Sequence, residues 1–229
     1  MSGAVPAVGC VVPAYNAAPT LGDVIARLRL ALPSSHLVVV DDGSTDATAA
    51  VAARAGVSRV LRFDRNHGKG AALRAGFAAT LDAGCTEILT VDADGQHDPA
   101  YGPRLLALLS DADVVIGARL RKGSAMPWRR RVTNYLSSTA ISVCVGRRLT
   151  DTQSGFRAMR AEVVRQVTAI GDRYEYETDF LIRAARAGFR IEWVPIPTVY
   201  GASRSQFRGI RDTVRVVQTI CRQLPPAFR

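Results

Sequence analysis

The chain has 229 residues, 48% of them hydrophobic and 22% charged, with 30 Lys+Arg against 20 Asp+Glu and a formal net charge of +10. That composition excludes a disordered or collagen-like chain, and the length suits one α/β domain with enough core to need no disulfide or metal staple. The positive balance calls for an anionic partner: nucleic acid, a membrane surface or a phosphorylated substrate.

The distribution of charge narrows that choice. Residues 1–115 hold 9 Lys+Arg and 12 Asp+Glu, a net of −3, and residues 116–229 hold 21 and 8, a net of +13, which together make the +10. A protein that coats nucleic acid would not usually divide in this way, and no aromatic-rich nucleic-acid motif is present.

The first half alternates short apolar runs with longer amphipathic ones, which predicts βα units around a mainly parallel sheet. Strands are expected at Val8–Val12, Leu37–Val40, Val60–Phe63, Glu87–Val91 and Asp113–Gly117. Helices are expected to begin near Thr20, Ser44, Lys69 and Tyr101, with Thr20 and Ser44 as N-caps and Asp23 in the first turn of the first helix. The second half predicts a helix around Arg130–Val145, a strand near Gly155–Met159, a helix at Thr178–Ala187, a strand at Arg190–Val194 and a last helix from Gln206 to Leu224. Neither a repeat nor a linker interrupts the chain, so one domain is expected over residues 1–205, with 206–229 as an appended helix.

Cys10, Cys85, Cys144 and Cys221 are widely spread and form no CxxC pair, which argues against a disulfide framework or zinc site and for a reducing, cytoplasmic setting. The N-terminal segment has no basic n-region and reads as a first strand rather than a signal peptide. No stretch reaches the roughly 20 apolar residues of a membrane span. The nearest, Val132 to Gly146, is broken by Thr133, Asn134, Ser137, Ser138 and Ser142.

Chemistry concentrates in the loops that follow the strands, the rim where open α/β sheets bind ligands. After the second strand comes Asp41-Asp42-Gly43-Ser44-Thr45-Asp46, and after the fourth comes Asp92-Ala93-Asp94-Gly95-Gln96-His97-Asp98. Clustered carboxylates repel, so several at one rim point to a cation or a hydroxyl-rich ligand. Asp92 and Asp94 can turn hard oxygens to one Mg²⁺ or Mn²⁺; a capped turn is the better explanation of a lone DxD, but Gln96 and the position at the C-terminal end of a strand favour a site. Asn66-His67-Gly68-Lys69-Gly70 lacks the P-loop spacing. It reads either as an anion-contacting helix start or as a turn with a solvated lysine. The chain has no GxGxxG for a dinucleotide and no GxSxG or Cys/His pairing for covalent hydrolysis.

Taken in order, VVPAYNA, VVVDDGSTDAT, NHGKGAAL, DADGQHDP, GAR, DTQSGFRAMR and YEYETDFLIRAARAGFRIEWVPI resemble the family-two inverting glycosyltransferases of the GT-A fold. Within that family they look like the dolichol- and polyprenyl-phosphate sugar transferases, from about Val8 to Arg204. The resemblance implies an α/β GT-A domain and transfer of a hexose from a nucleotide sugar of the GDP-mannose or UDP-glucose type to a polyprenyl or dolichyl phosphate. Pro13, Ala14, Tyr15 and Asp42 would line the nucleoside pocket, with Lys69 and Arg204 on the donor's phosphates. Asp92, Asp94 and Gln96 would hold a divalent cation, Mg²⁺ or Mn²⁺, against the diphosphate. Arg119, and less directly Arg131, would meet phosphates during the reaction, and Ser154 and Arg157 would lie on the acceptor side, with Arg157 either contacting an acceptor phosphate or pairing with Asp151.

Two departures from the family pattern stand out. Ala17-Ala18 replaces an acid that often follows the Tyr-Asn pair, and Arg204 replaces a Lys. Asp179 matches the general base of relatives with hydroxyl acceptors, which keeps a saccharide hydroxyl as the alternative acceptor. An ionised phosphate acceptor needs little base help. The plainer alternative for Glu175, Glu177 and Asp179 together is a solvated helix start stabilised by the dipole.

The last helix carries Phe207, Ile210, Val214, Val217, Cys221 and Leu224 at spacings of three and four, with Arg208, Arg211, Arg215 and Arg222 largely off that stripe. It is expected either to dock on the domain or to lie on an anionic bilayer. Such a chain would act as a peripheral enzyme on the cytoplasmic face of a membrane or rely on a membrane-protein partner.

Overall fold

The structure, a computed structural model, describes residues 7–119, 151–152 and 154–197, with isolated positions at 138, 139, 142 and 219. Among the described residues seven strands form one sheet: β1 Val8–Ala14, β2 His36–Asp41, β3 Arg59–Arg62, β4 Glu87–Thr90, β5 Val114–Arg119, β6 Arg157–Arg160 and β7 Ile191–Ile196. Their order is β3-β2-β1-β4-β6-β5-β7. β1 runs parallel to β2 and β4, β2 to β3 and β5 to β7, while β6 is antiparallel to both neighbours. The α-helices bounded within the described residues are α1 Ala18–Ala31, α2 Thr48–Arg54, α3 Lys69–Asp82, α4 Gly102–Ala107, α5 Ala161–Gln166 and α6 Glu175–Arg186.

The central strands are buried on both faces, which is why they read as continuous apolar runs rather than alternating ones. Along β1 successive side chains serve opposite layers. Cys10, Val12 and Ala14 join Leu21, Val24 and Leu28 of α1 on one face. Val11 joins Leu73 and Phe77 of α3 and Phe180 of α6 on the other. This mainly parallel sheet between helical layers is the architecture expected from the sequence. Among the described residues no helix is long and apolar enough to cross a membrane.

Helix starts differ from expectation where polar side chains serve distant partners. α1 begins at Ala18, because Thr20 Oγ1 donates to Ala93 O at 2.6 Å instead of capping, and Asp23 lies beyond the first turn, paired with Arg27 at 2.9 Å. α2 begins at Thr48, not near Ser44. Ser44 Oγ accepts Asn16 N–H at 2.9 Å, and Asp46 Oδ1 instead accepts the Thr48 N–H at 2.9 Å. α6 begins at Glu175, almost a turn before Thr178. Most of the helix expected at 130–145 and all but one position of that expected at 206–224 lie outside the described residues.

Candidate active site

Because β1, β2 and β4 are parallel, their C-terminal ends open onto one rim. Two of the loops there are laced together. Asn16 Oδ1 accepts Thr45 N–H at 2.9 Å, Ala17 N–H donates to Thr48 Oγ1 at 2.8 Å, and Ala18 N–H donates to Asp46 Oδ2 at 3.1 Å. Asn16 adopts φ 47°, a left-handed conformation that asparagine tolerates better than most residues. Pro13 and Ala14 are buried at the end of β1, where Ala14 O accepts the Asp42 N–H at 2.8 Å, and Tyr15 is half-buried above them.

Asp42, 3% exposed, joins this pair of loops to the start of α3. Its Oδ1 accepts His67 N–H at 2.7 Å, and its Oδ2 accepts Gly68 N–H at 2.8 Å and Asn66 Nδ2 at 3.0 Å. Burial pushes the Asp42 carboxyl above its ordinary value, against the pull of the backbone hydrogen bonds. Gly68 sits at φ 107° with no room for a Cβ beside Asp172 O, so only glycine serves at this α3 start.

Lys69, the first residue of α3, lies in the centre of the site. Its Nζ is 2.7 Å from Asp92 Oδ1 at the end of β4 and 2.9 Å from Glu177 Oε2 on α6, with the Tyr174 ring centroid 5.9 Å away. Burial favours a neutral amine, but the two carboxylates outweigh it and hold the Lys69 pKa above its usual value. Burial likewise disfavours the Asp92 anion, and the Lys69 charge and hydrogen bond overcome it, keeping Asp92 below the usual carboxylate range. Gly155, directly after Ser154, makes this cluster fit. A Cβ there would stand 2.5 Å from Asp92 Oδ2 and 2.7 Å from Lys69 Nζ. The Asp92 side chain remains 23% exposed, open to a ligand from the rim.

Two residues further on, Asp94 Oδ1 accepts the Gln96 N–H at 3.0 Å and so shapes the DxD loop, and Asp98 accepts the Ala100 N–H at 3.0 Å in the same way. His97 is 5% exposed and stacks on Phe156, with centroids 5.7 Å apart, so its ring belongs to the floor of the loop. Asp92 and Asp94 offer hard carboxylate oxygens two residues apart. No group of three or more His, Cys, Asp or Glu side chains that could hold a metal occurs among the described residues. Two carboxylates fit a hard divalent ion that takes its remaining ligands from water and a ligand's phosphates.

The wall behind the cluster is built by the DTQSGFR segment, and here the geometry departs from expectation. Arg157 is 3% exposed and donates to three backbone carbonyls: Ser154 O at 2.8 Å, Thr152 O at 3.0 Å and Glu177 O at 3.1 Å. Ser154 Oγ donates to Gly117 O at 2.6 Å. These side chains brace β5, β6 and α6 against one another; their polar groups are turned to the backbone rather than toward an acceptor. Asp179 departs similarly. It is 1% exposed, and its Oδ2 accepts Ile170 N–H at 2.8 Å and Arg183 Nε at 2.5 Å, so the carboxylate holds the turn before α6.

Glu177 belongs to the site although its segment reads as a solvated helix start. The signal was its register: Glu177 shares a stripe with Phe180, Leu181 and Ala184, all buried. The backbone of Arg119 ends β5 on the same side of the sheet, while Arg131 and Arg204 lie outside the described residues.

The family model described as "Glycosyl transferase family 2" matches residues 10–168. An undecaprenyl-phosphate mannosyltransferase of Micrococcus luteus is 37% identical over 199 residues, covering 82% of each chain. A polyprenol monophosphomannose synthase of Mycolicibacterium smegmatis is 35% identical over 219 residues, 89% of this chain and 83% of that one. A dolichyl-phosphate hexose transferase of Haloferax volcanii is 32% identical over 185 residues, 80% of this chain and 78% of that one. Among solved structures, glucosyl-3-phosphoglycerate synthase of Mycobacterium tuberculosis, in complex with Mn²⁺, UDP and phosphoglyceric acid, superposes with a TM-score of 0.77 at 22% identity. That superposition covers 96% of this chain and 80% of that one, and the likeness is one of fold.

Proposed function

The chain belongs to glycosyl transferase family 2, and from that premise we propose that it transfers a hexose from a nucleotide sugar to a polyprenyl phosphate with inversion at the anomeric carbon. The named activities of the relatives support the lipid-phosphate acceptor. The structural observation that carries the choice of a phosphate over a sugar hydroxyl is the engagement of Asp179. A general base must reach the proton that it removes. Asp179 is 1% exposed and committed to Ile170 and Arg183. An ionised phosphate oxygen carries its own nucleophilic charge and can attack without such a base.

In this reading the nucleoside lies over Pro13, Ala14 and Tyr15 beside Asp42, within the loops that Asn16, Ser44 and Asp46 fasten together. The diphosphate lies toward Asp92 and Asp94. A divalent cation held by these two carboxylates, with Gln96 beside them, would offset the charge that builds on the departing nucleoside diphosphate. Lys69 keeps the Asp92 carboxylate ionised and oriented. Arg119, Arg131 and Arg204 are the cations for the acceptor and donor phosphates. The acceptor is amphiphilic, so the work would be done at a membrane surface, where the basic half of the chain meets anionic headgroups.

The test has two arms. Nucleoside diphosphates and their sugars are scanned by thermal shift with Mn²⁺, Mg²⁺ or EDTA, and transfer from the responding donor to a polyprenyl phosphate in detergent is followed by product extraction. Metal-dependent stabilisation by one nucleotide, with lipid-linked product, is the expected result. Product on a saccharide hydroxyl that disappears in Asp179→Asn would replace this reading with the hydroxyl-acceptor one. No response to any nucleotide would remove both.

A further inference from the structure

We infer that Glu177 is a positioning residue for the metal-binding carboxylates: by sharing the Lys69 ammonium it leaves Asp92 enough negative charge to take a divalent cation. This rests on the metal-assisted transferase reading and deepens it. The geometry is that of one cation between two anions, with Lys69 Nζ 2.7 Å from Asp92 Oδ1 and 2.9 Å from Glu177 Oε2. All three side chains are largely withdrawn from water, at 15%, 23% and 10% exposure, so their mutual charges are weakly screened.

The charge count explains why Glu177 matters. Lys69 and Asp92 alone would sum to zero, and a cation arriving at Asp92 would meet a carboxylate already neutralised. With Glu177 these three side chains carry one net negative charge instead of none, and Asp94 adds another, against the buried Arg157 guanidinium whose charge also acts on Asp92. Glu177 is fixed for this role. Its own carbonyl accepts Arg157 Nη1 at 3.1 Å, and the buried Phe180 and Leu181 hold its helix against the sheet. Gly155 leaves the space in which the ammonium and Asp92 meet.

The experiment titrates Mn²⁺ into the full chain with saturating nucleoside diphosphate and reads free Mn²⁺ by electron paramagnetic resonance. Glu177→Gln should weaken Mn²⁺ binding by about ten- to a hundredfold, the range seen when groups behind metal ligands are altered. The double variant Lys69→Gln/Glu177→Gln removes one charge of each sign, restores the net charge of the cluster and should recover Mn²⁺ affinity to within about threefold of the parent. Urea midpoints of both variants are read beside the titration, because a role in folding alone would lower them and leave the Mn²⁺ affinity of the folded chain unchanged. Unchanged Mn²⁺ affinity in folded Glu177→Gln would overturn the inference, as would a double variant that binds Mn²⁺ poorly; the latter decides the matter if Glu177→Gln does not fold. If the parent chain binds nucleoside diphosphate but no Mn²⁺, this inference falls while nucleotide recognition stands. If the parent binds neither, the transferase reading falls with it.

Discussion

Lys69 Nζ and Asp92 Oδ1 stand 2.7 Å apart, joining the first residue of α3 to the end of β4 across the C-terminal rim of the sheet. Breaking a largely buried pair leaves a charge with no partner, which costs far more than replacing both members. Lys69→Met would leave Asp92 and Glu177 facing each other without their cation. Urea denaturation should show a loss of about 3 kcal/mol at neutral pH, and the loss should shrink when Glu177→Gln is added. Equal stabilities for Lys69→Met and the parent would mean that the two carboxylates find other partners.

Gly155 tests the same cluster by volume instead of charge. Gly155→Ala places a methyl 2.5 Å from Asp92 Oδ2 and 2.7 Å from Lys69 Nζ, against atoms that cannot withdraw without breaking their ion pair. Transfer should fall by at least about tenfold, since small displacements of a reacting constellation are costly. Circular dichroism should remain that of the parent, because β5 and β6 on either side keep their ladder. Parent-like turnover in this variant would place the reacting groups elsewhere.

The regular elements were legible because each is a local pattern. The five first strands lie within one or two residues of their expected bounds, since an apolar run between turn residues is written into consecutive positions. What escaped depends on distant partners. Ser44 has the chemistry of an N-cap, yet its hydroxyl serves Asn16 on another loop, and α2 starts four residues later. Arg157 and Asp179 have the chemistry of phosphate and proton contacts, yet Arg157 is engaged by three backbone carbonyls, one of them on α6, and Asp179 by the Ile170 N–H and the Arg183 side chain. The DxD and the Lys69 loop were visible as motifs. That Glu177 joins them was not visible from the motifs, because the ion pair closes between residues more than a hundred positions apart.

Asp42 offers a test of how the nucleoside side of the rim is held. Its carboxylate takes the His67 and Gly68 N–H groups and the Asn66 amide, so Asp42→Ala leaves three donors at the start of α3 without their acceptor. The expected cost is about 2 kcal/mol, since water can reach part of the loop and replace some of the lost bonds. Hydrogen exchange should show the amides of residues 67 and 68 losing protection ahead of the β2 core. Nucleotide binding should weaken with them. Unchanged protection at these two amides would show that the loop is held by other contacts, such as Arg173 on Asn66 Oδ1 at 3.4 Å.

Alkaline pH should unfold the chain through two groups that the fold keeps neutral. Burial pushes the Cys10 thiol from 9.0 up to about 12, and burial likewise pushes the Tyr176 phenol from 10.0 up to about 12. The neutral forms are the ones the native state prefers, so between about pH 9 and 12 the unfolded chain has released protons that the folded chain still holds. Stability therefore falls as pH rises, with a slope of up to about 1.4 kcal/mol per pH unit for each group. Both contributions are fully present below the unfolded values and are gone once pH passes the folded ones. Tyr176→Phe keeps the ring against Phe180, whose centroid lies 6.3 Å away, and removes only the ionisable oxygen. Urea midpoints measured from pH 8 to 11 should fall less steeply above pH 10 in Tyr176→Phe than in the parent. Parallel curves for the two proteins would mean that the phenol titrates alike in the folded and unfolded chain.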